Sequence, residues 1–227
     1  MDFQVQGLWR NLTWGCVTAG RPSIQLVLSD TSTDREQNKN TSVWSLEKII
    51  QTIEEPLESI KILQIHSATL TDSQITSIGD PLEYSDIYPL ITHTLEELEY
   101  RVIIHLNNKT DISMMDPRAN IVLVPVMPSM GDINQNYWPN LEYLSDDGEL
   151  LFIVRTDNDY LWMKEQVDLF KLAERFIVHM SVDNIPYILK KWGKKIIQDS
   201  LGVHLLPVQP SLPIKMHQNK IANSPSK

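Results

Sequence analysis

Seven short apolar runs recur along the chain, spaced so that a helix or long turn fits between them: 23–29 (SIQLVLS), 60–66 (IKILQIH), 100–106 (YRVIIHL), 120–126 (NIVLVPV), 149–155 (ELLFIVR), 175–180 (RFIVHM) and 202–208 (GVHLLPV). Most are continuous rather than alternating, the pattern of strands covered on both faces. Pro125 has no amide hydrogen, so its strand is expected to end there or to lie at an edge. Helical patterns fill the gaps. In 42–55, Val43, Leu46, Ile49, Ile50 and Ile53 share a stripe after Thr41 or Ser42 as cap. Ile87, Leu90, Ile91, Leu95 and Leu98 do so after Ser85 or Asp86, with Pro89 in the first turn. The pattern returns in 158–174 (Leu161, Trp162, Val167, Phe170) and in 183–200. The opening stretch GLWRNLTWG reads as a short amphipathic helix carrying Leu8, Leu12 and Trp9.

Strand and helix alternating in this way predict an α/β fold. The expected form is a three-layer sandwich with a mainly parallel, Rossmann-like or flavodoxin-like sheet of about seven strands and helices on both faces. Residues 1–209 read as a single domain, and 210–227, rich in proline and lysine, as a disordered tail.

Charge and cysteine usage narrow the setting. A net charge of −9 makes nucleic acid an unlikely general partner, the run KKWGKK at 190–195 being the only concentrated basic stretch. A single cysteine, Cys16, excludes an internal disulfide framework and a cysteine-rich zinc site. No apolar run approaches the roughly 20 residues that span a bilayer, and the N-terminus does not resemble a signal peptide. The expectation is a soluble protein of a reducing compartment, cytoplasmic or nuclear, without a membrane partner.

In open α/β sheets ligands bind beyond the carboxyl ends of the strands. Those loops are polar here and rich in aspartate, a composition that helix caps also require. In the first, Asp30, Ser32 and Asp34 form D-x-S-x-D, a spacing of oxygens suited to a hard cation such as Mg²⁺. Asp30 and Ser32 are therefore the metal-site candidates. The spacing resembles the metal-ion adhesion motif of von Willebrand A domains, with Thr69 or Thr71 and Asp132 in the place of its downstream ligands.

A longer stretch, 120–158, holds Asn140-Leu141-Glu142-Tyr143-Leu144 and then Asp146-Asp147-Gly148 before an apolar run. It resembles the later half of class I S-adenosylmethionine-dependent methyltransferases, where strand, loop, helix and glycine turn precede a strand. It is equally similar to flavodoxin-like domains of the glutamine amidotransferase type. The methyltransferase resemblance places a cofactor loop at His66, Ser67 and Thr69, with Asn107 where an acid would hold a ribose. That loop has no glycine, and only glycine lets backbone approach a nucleotide closely, so the resemblance implies a degenerate cofactor site. Cys16 precedes the first run and cannot be an elbow nucleophile. G-x-S-x-G, P-loop and H-E-x-x-H motifs are absent. No catalytic residue and no cofactor are expected on these grounds.

His66, His105, His179 and His204 lie in or at the ends of apolar runs and read first as hydrogen-bonded core residues. If the strand ends converge, His66 and His105 face one crevice, with Asp30 or Asp72 beside them, and a His–carboxylate pair can move protons. Tyr137 and Trp138 are interface candidates, since loop aromatics anchor partners or cap a sheet edge. Taken together, the sequence favours a non-catalytic protein-interaction or scaffold domain on a degenerate Rossmann-like fold, a pseudoenzyme with a protein partner. The alternatives are a methyltransferase-type transferase with an atypical cofactor loop and a Mg²⁺-binding adhesion-type domain.

Overall fold

A computed structural model describes residues 2–29, 41–54, 60–71, 74–182 and 185–207. All seven apolar runs are strands: β2 (Pro22–Ser29), β4 (Ile62–Thr71), β6 (Arg101–Leu106), β7 (Asn120–Leu123), β8 (Glu149–Val154), β9 (Ile177–Val182) and β10 (Val203–Pro207). β7 stops before Pro125, as the missing amide requires. Three further strands join them: β1 (Asp2–Leu12), β3 (Ser42–Ser45) and β5 (Gln74–Ile78). The sheet order is β10-β9-β8-β7-β6-β4-β2-β1-β3, with β5 hydrogen-bonded to β4. Pairs from β2 to β10 are parallel, whereas β1 runs antiparallel to both β2 and β3.

The parallel strands follow one another without a reversal of order. A Rossmann-type sheet reverses at a switch point, and that reversal puts helices on both faces. With monotonic order, right-handed crossovers deliver every helix to the same face, as in barrel folds. The packing agrees. Leu26, Leu63, Ile65, Val102, Ile104, Leu150, Phe152, Val178 and Met180 share one core cluster with helix residues Ile49, Ile53, Ile87, Leu90, Tyr160, Met163 and Trp192. Residues of the other parity, Ile62, Ile103, Val122, Leu151 and Ile153, pack instead on Trp14 and Cys16 of a loop. The fold is a mixed, mostly parallel α/β sheet, and the expected three-layer sandwich is corrected to helices on an outer face and a loop on an inner one.

The helices are α1 (Leu46–Glu54), α2 (Ile87–Glu96), α3 (Asp157–Leu169), α4 (Leu172–Arg175) and α5 (Ile185–Gln198). α3 begins with a full capping box: Thr156 Oγ accepts from Asp159 N while the Asp159 carboxylate accepts from Thr156 N. Of its expected stripe, Trp162 and Val167 are buried, but Leu161 is exposed and Tyr160 is buried in its place. The helix expected from residue 42 starts at Leu46, where Ser45 Oγ accepts from Lys48 N. Val43 and Trp44 pair with β1 instead.

GLWRNLTWG is not a helix. Residues 7–12 continue β1, whose first half alternates with Phe3 and Val5 in the core, and antiparallel pairing with β2 carries the strand to Leu12. Between β7 and β8 the chain makes only 3-10 turns at Ile133–Gln135 and Trp138–Glu142, so the helix implied by the methyltransferase resemblance is missing.

A histidine-lined inner face as the candidate functional site

The inner face carries a cluster of buried polar residues, whereas the outer face is almost wholly apolar, Ser67 on β4 being an exception. Gln25 on β2 lies beside Gln64 on β4, and His66 on β4 beside His105 on β6. The same ladder runs from His105 through Val122 to Glu149 on β8, and Leu151 faces His179 on β9. Each of these polar side chains is essentially fully buried.

The loop from Thr13 to Gly20 closes this face at the amino-terminal ends of the strands. Its base is pinned by Thr13 N on Arg21 O and Gly20 N on Thr13 O. Trp14 then reaches inward, its ring 4.5 Å from that of His105 and edge-on to His66 at 5.5 Å. Gly15 turns with φ +62°, and a β-carbon there would stand 2.7 Å from Leu151 Cδ2 and 3.1 Å from His105 Cε1. Both its conformation and the close approach demand glycine. Val17 N donates to Glu149 Oε2 at 2.5 Å, tying the loop to the far side of the ladder.

Two hydrogen-bonded groups result. Gln25 Nε2 donates to the Leu12 carbonyl and to Gln64 Oε1, and Gln64 Nε2 meets the Trp14 carbonyl at 2.8 Å and His105 Nε2 at 2.9 Å. Separately, His179 Nε2 meets Glu149 Oε2 at 2.7 Å, with the His204 ring edge-on to His179. Among the described residues His66 Nδ1 and Nε2, His105 Nδ1, His179 Nδ1, Gln25 Oε1 and Trp14 Nε1 have no partner. Such a concentration of bare polar atoms is costly in a dry interior unless something polar meets them.

Burial pushes His66 down to about 4. Burial, with the neighbouring imidazoles of His66 and His179, holds His105 well below the ordinary histidine range. Both rings are therefore neutral at physiological pH. Burial above all also pushes the Cys16 thiol up, with Glu149 adding to it. Among the described residues no three His, Cys, Asp or Glu side chains are grouped to hold a metal ion.

The sequence candidates are dispersed. Asp30, Ser32 and Asp34 lie outside the described residues, as do Asp72 and the side chains of Thr69 and Thr71. His66 is on the inner face, but Ser67 points the other way and donates to the Ser29 carbonyl beside Tyr84 Oη. Asn107 accepts from Lys109 N in a turn, and Asp132 caps the first 3-10 turn. Trp138 stacks on Phe170 at 5.1 Å, while Tyr137 is exposed. In the basic run, Lys191 and Lys195 pair with Asp157 at the start of α3. The structure does bring His66 and His105 together, ring centroids 6.1 Å apart.

Gln25, Gln64 and Glu149 were not singled out by the sequence. The signal was the parity of polar residues inside apolar runs, Gln64 and His66 being two apart, as are His179 and Ser181. Also buried are Asp80, which accepts from Leu82 N with Oδ1, and Asn108, whose side-chain oxygen accepts from Asn140. Asp80 Oδ2 and Asn108 Nδ2 have no partner among the described residues. Asn108 follows the carboxyl end of β6 and Asp80 follows β5, and burial raises the Asp80 carboxyl against a lowering contact from Thr110. No helix among the described residues is long and apolar enough to cross a membrane.

No family model and no curated protein matches the chain. Among solved structures, the crystal structure of QueE from Escherichia coli superposes with a TM-score of 0.68 at 14% identity, covering 92% of this chain and 95% of that one. QueE is a radical S-adenosylmethionine enzyme, which contradicts the non-catalytic scaffold reading and its pseudoenzyme and methyltransferase-like descriptions, while at 14% identity the likeness itself shows the fold alone. The α/β resemblance holds only at that coarse level. Iron–sulfur clusters are held mainly by several cysteine thiolates. This chain has one cysteine, buried under the inner loop with its thiol pushed up, so its residues do not fit such a cluster. The chain is similar to QueE in fold, and on that fold it carries a buried set of histidines, glutamines and one glutamate instead of a thiolate set.

Proposed function

We propose that the chain is an enzyme of acid–base type, acting on a small polar molecule at the inner face without iron–sulfur chemistry. The observation that carries the reading is the buried Glu149–His179 pair, set among His66 and His105 with ring nitrogens left bare. A carboxylate that orients an imidazole, whose second nitrogen is free, is the arrangement general bases use. The fold supports the direction of entry. The loop 13–20 occupies the amino-terminal end, and barrel-type sheets work at the carboxyl ends of their strands. There Asp80 Oδ2 and Asn108 Nδ2 offer an acceptor and a donor.

Thermal unfolding of the full chain against a panel of small hydroxylated and carbonyl compounds tests this. A ligand at 100 times its Kd is worth about 2.7 kcal/mol, a rise of roughly 5–10 °C for a chain of this size. The expected hit loses its shift in both His105→Leu and His179→Leu. A panel without any shift, or a shift that both variants retain, overturns the reading.

A further inference from the structure

We infer that His105 and His179 are held in opposite tautomers, so that His105 Nδ1 is a buried hydrogen-bond donor and His179 Nδ1 a buried proton acceptor on the same inner face. The roles given to the two rings rest on the acid–base reading above, but the tautomers do not.

The His105 assignment follows from carbonyl groups that can only accept. The Leu12 carbonyl takes Gln25 Nε2 at 2.7 Å, and the Trp14 carbonyl takes Gln64 Nε2 at 2.8 Å. These contacts fix both amides, and Gln64 Oε1 correctly receives Gln25 Nε2 at 3.2 Å. The second hydrogen of Gln64 Nε2 then points at His105 Nε2, 2.9 Å away. That nitrogen must be the acceptor, because two N–H groups cannot share the contact. The proton of neutral His105 therefore sits on Nδ1, a buried donor without a partner. Burial already disfavours the imidazolium, which would need a proton on both nitrogens.

For His179 the logic runs in the other direction. Its Nε2 stands 2.7 Å from Glu149 Oε2, the same oxygen that accepts from Val17 N. A carboxylate oxygen receiving a backbone N–H takes a second hydrogen from the ring. His179 therefore carries a proton on Nε2; its Nδ1 has no partner, and in the neutral ring that nitrogen is a lone pair. Glu149 and Gln64 are the positioning residues, and each is itself held by the 13–20 loop, through Val17 N and through the Trp14 carbonyl.

A guest bearing an acidic O–H or C–H would transfer that proton to His179 Nδ1. The imidazolium so formed keeps its Nε2–H on Glu149, and the electron pair of the broken bond stays on the guest. No oxidant or reductant is required. The matching guest class is a small neutral hydroxyl or carbonyl compound, with water as the smallest member.

Two-bond ¹H–¹⁵N spectra of histidine-labelled full-length protein at pH 7.5, assigned by single histidine replacements, read the tautomers directly. The expected result is Nδ1–H for His105 and Nε2–H for His179. Gln64→Glu replaces the donor with an acceptor and should move the His105 proton completely to Nε2. Glu149→Gln should leave His179 unchanged, because the new amide oxygen accepts the same two donors. Nε2–H for His105 or Nδ1–H for His179 in the unaltered protein overturns the proposal, whether or not either variant folds. A folded Gln64→Glu protein whose His105 proton stays on Nδ1 overturns it too. Correct tautomers with no ligand in the thermal panel would leave the couple standing and remove the enzyme reading instead.

Discussion

The two faces of the sheet are built from the same strands and obey different rules. On the outer face, Phe152, Leu150, Met180 and Ile104 meet helices in a largely apolar layer. On the inner face, His66, His105, His179, Gln64 and Glu149 meet a loop, and several polar atoms lack partners. Stability is concentrated on the first face and chemical capacity on the second. The sharpest way to break this contrast is to cut an aromatic from each. Phe152→Ala should cost about 4 kcal/mol, since an apolar void in a fully buried layer stays empty. Trp14→Ala removes a larger ring, yet its void is bordered by His66 and His105 nitrogens that can hold water. The second cost should be about half the first in urea unfolding. Equal costs would mean that the inner face is packed like the outer one.

Acid sharpens the same contrast. His66 titrates at about 4 in the folded protein against roughly 6.5 when unfolded, so between those values the unfolded chain binds more protons. Its contribution is complete above pH 6.5 and is lost as pH falls toward 4, roughly 3 kcal/mol in all. His105 acts in the same direction. The Asp80 carboxyl, raised by burial, acts in the opposite sense: it favours the folded state when protonated and loses that contribution as pH rises. Unfolding free energies at pH 7 and pH 4.5 should therefore differ by less in His66→Leu than in the unaltered chain. If the two pH profiles superpose, the His66 ring is solvated and the inner face is wet throughout.

Much of the outer face was legible in the sequence, because continuous apolar runs and 3.6-residue stripes are local signals. The seven strands and the start of α2 follow from them, while α3 begins at Asp157, capped by Thr156, ahead of the cap expected at Asn158 or Asp159. β1 was misread because Leu8 and Leu12 are four apart, as on a helix, and only pairing with β2 decides otherwise. Layer number depends on strand order, which no local pattern carries. The inner site was legible only in part. His66 and His105 read first as core residues and only conditionally as facing one crevice; their rings do lie close, but their company is set by the loop 13–20 and by Glu149, more than a hundred residues apart in sequence. Glu149 is the first residue of the apolar run 149–155, and nothing nearby marks it as the partner of Val17 N and His179 Nε2.

The smallest expected effect tests whether the outer face really is governed by local rules. Thr156 caps α3 with its hydroxyl on Asp159 N, and Asp159 also accepts from Ser129 N and Oγ and from Arg155 N. Thr156→Ala leaves that carboxylate in place and removes one cap bond, so about 1 kcal/mol should be lost. The inner face is separated from this helix by the whole thickness of the sheet, so the histidine tautomers should not move. A Thr156→Ala protein that is destabilised by the expected amount but shows altered His105 or His179 signals would mean the two faces are coupled. The loss of a single cap would then reach the chemistry, and the division between a stabilising face and a working face would fail.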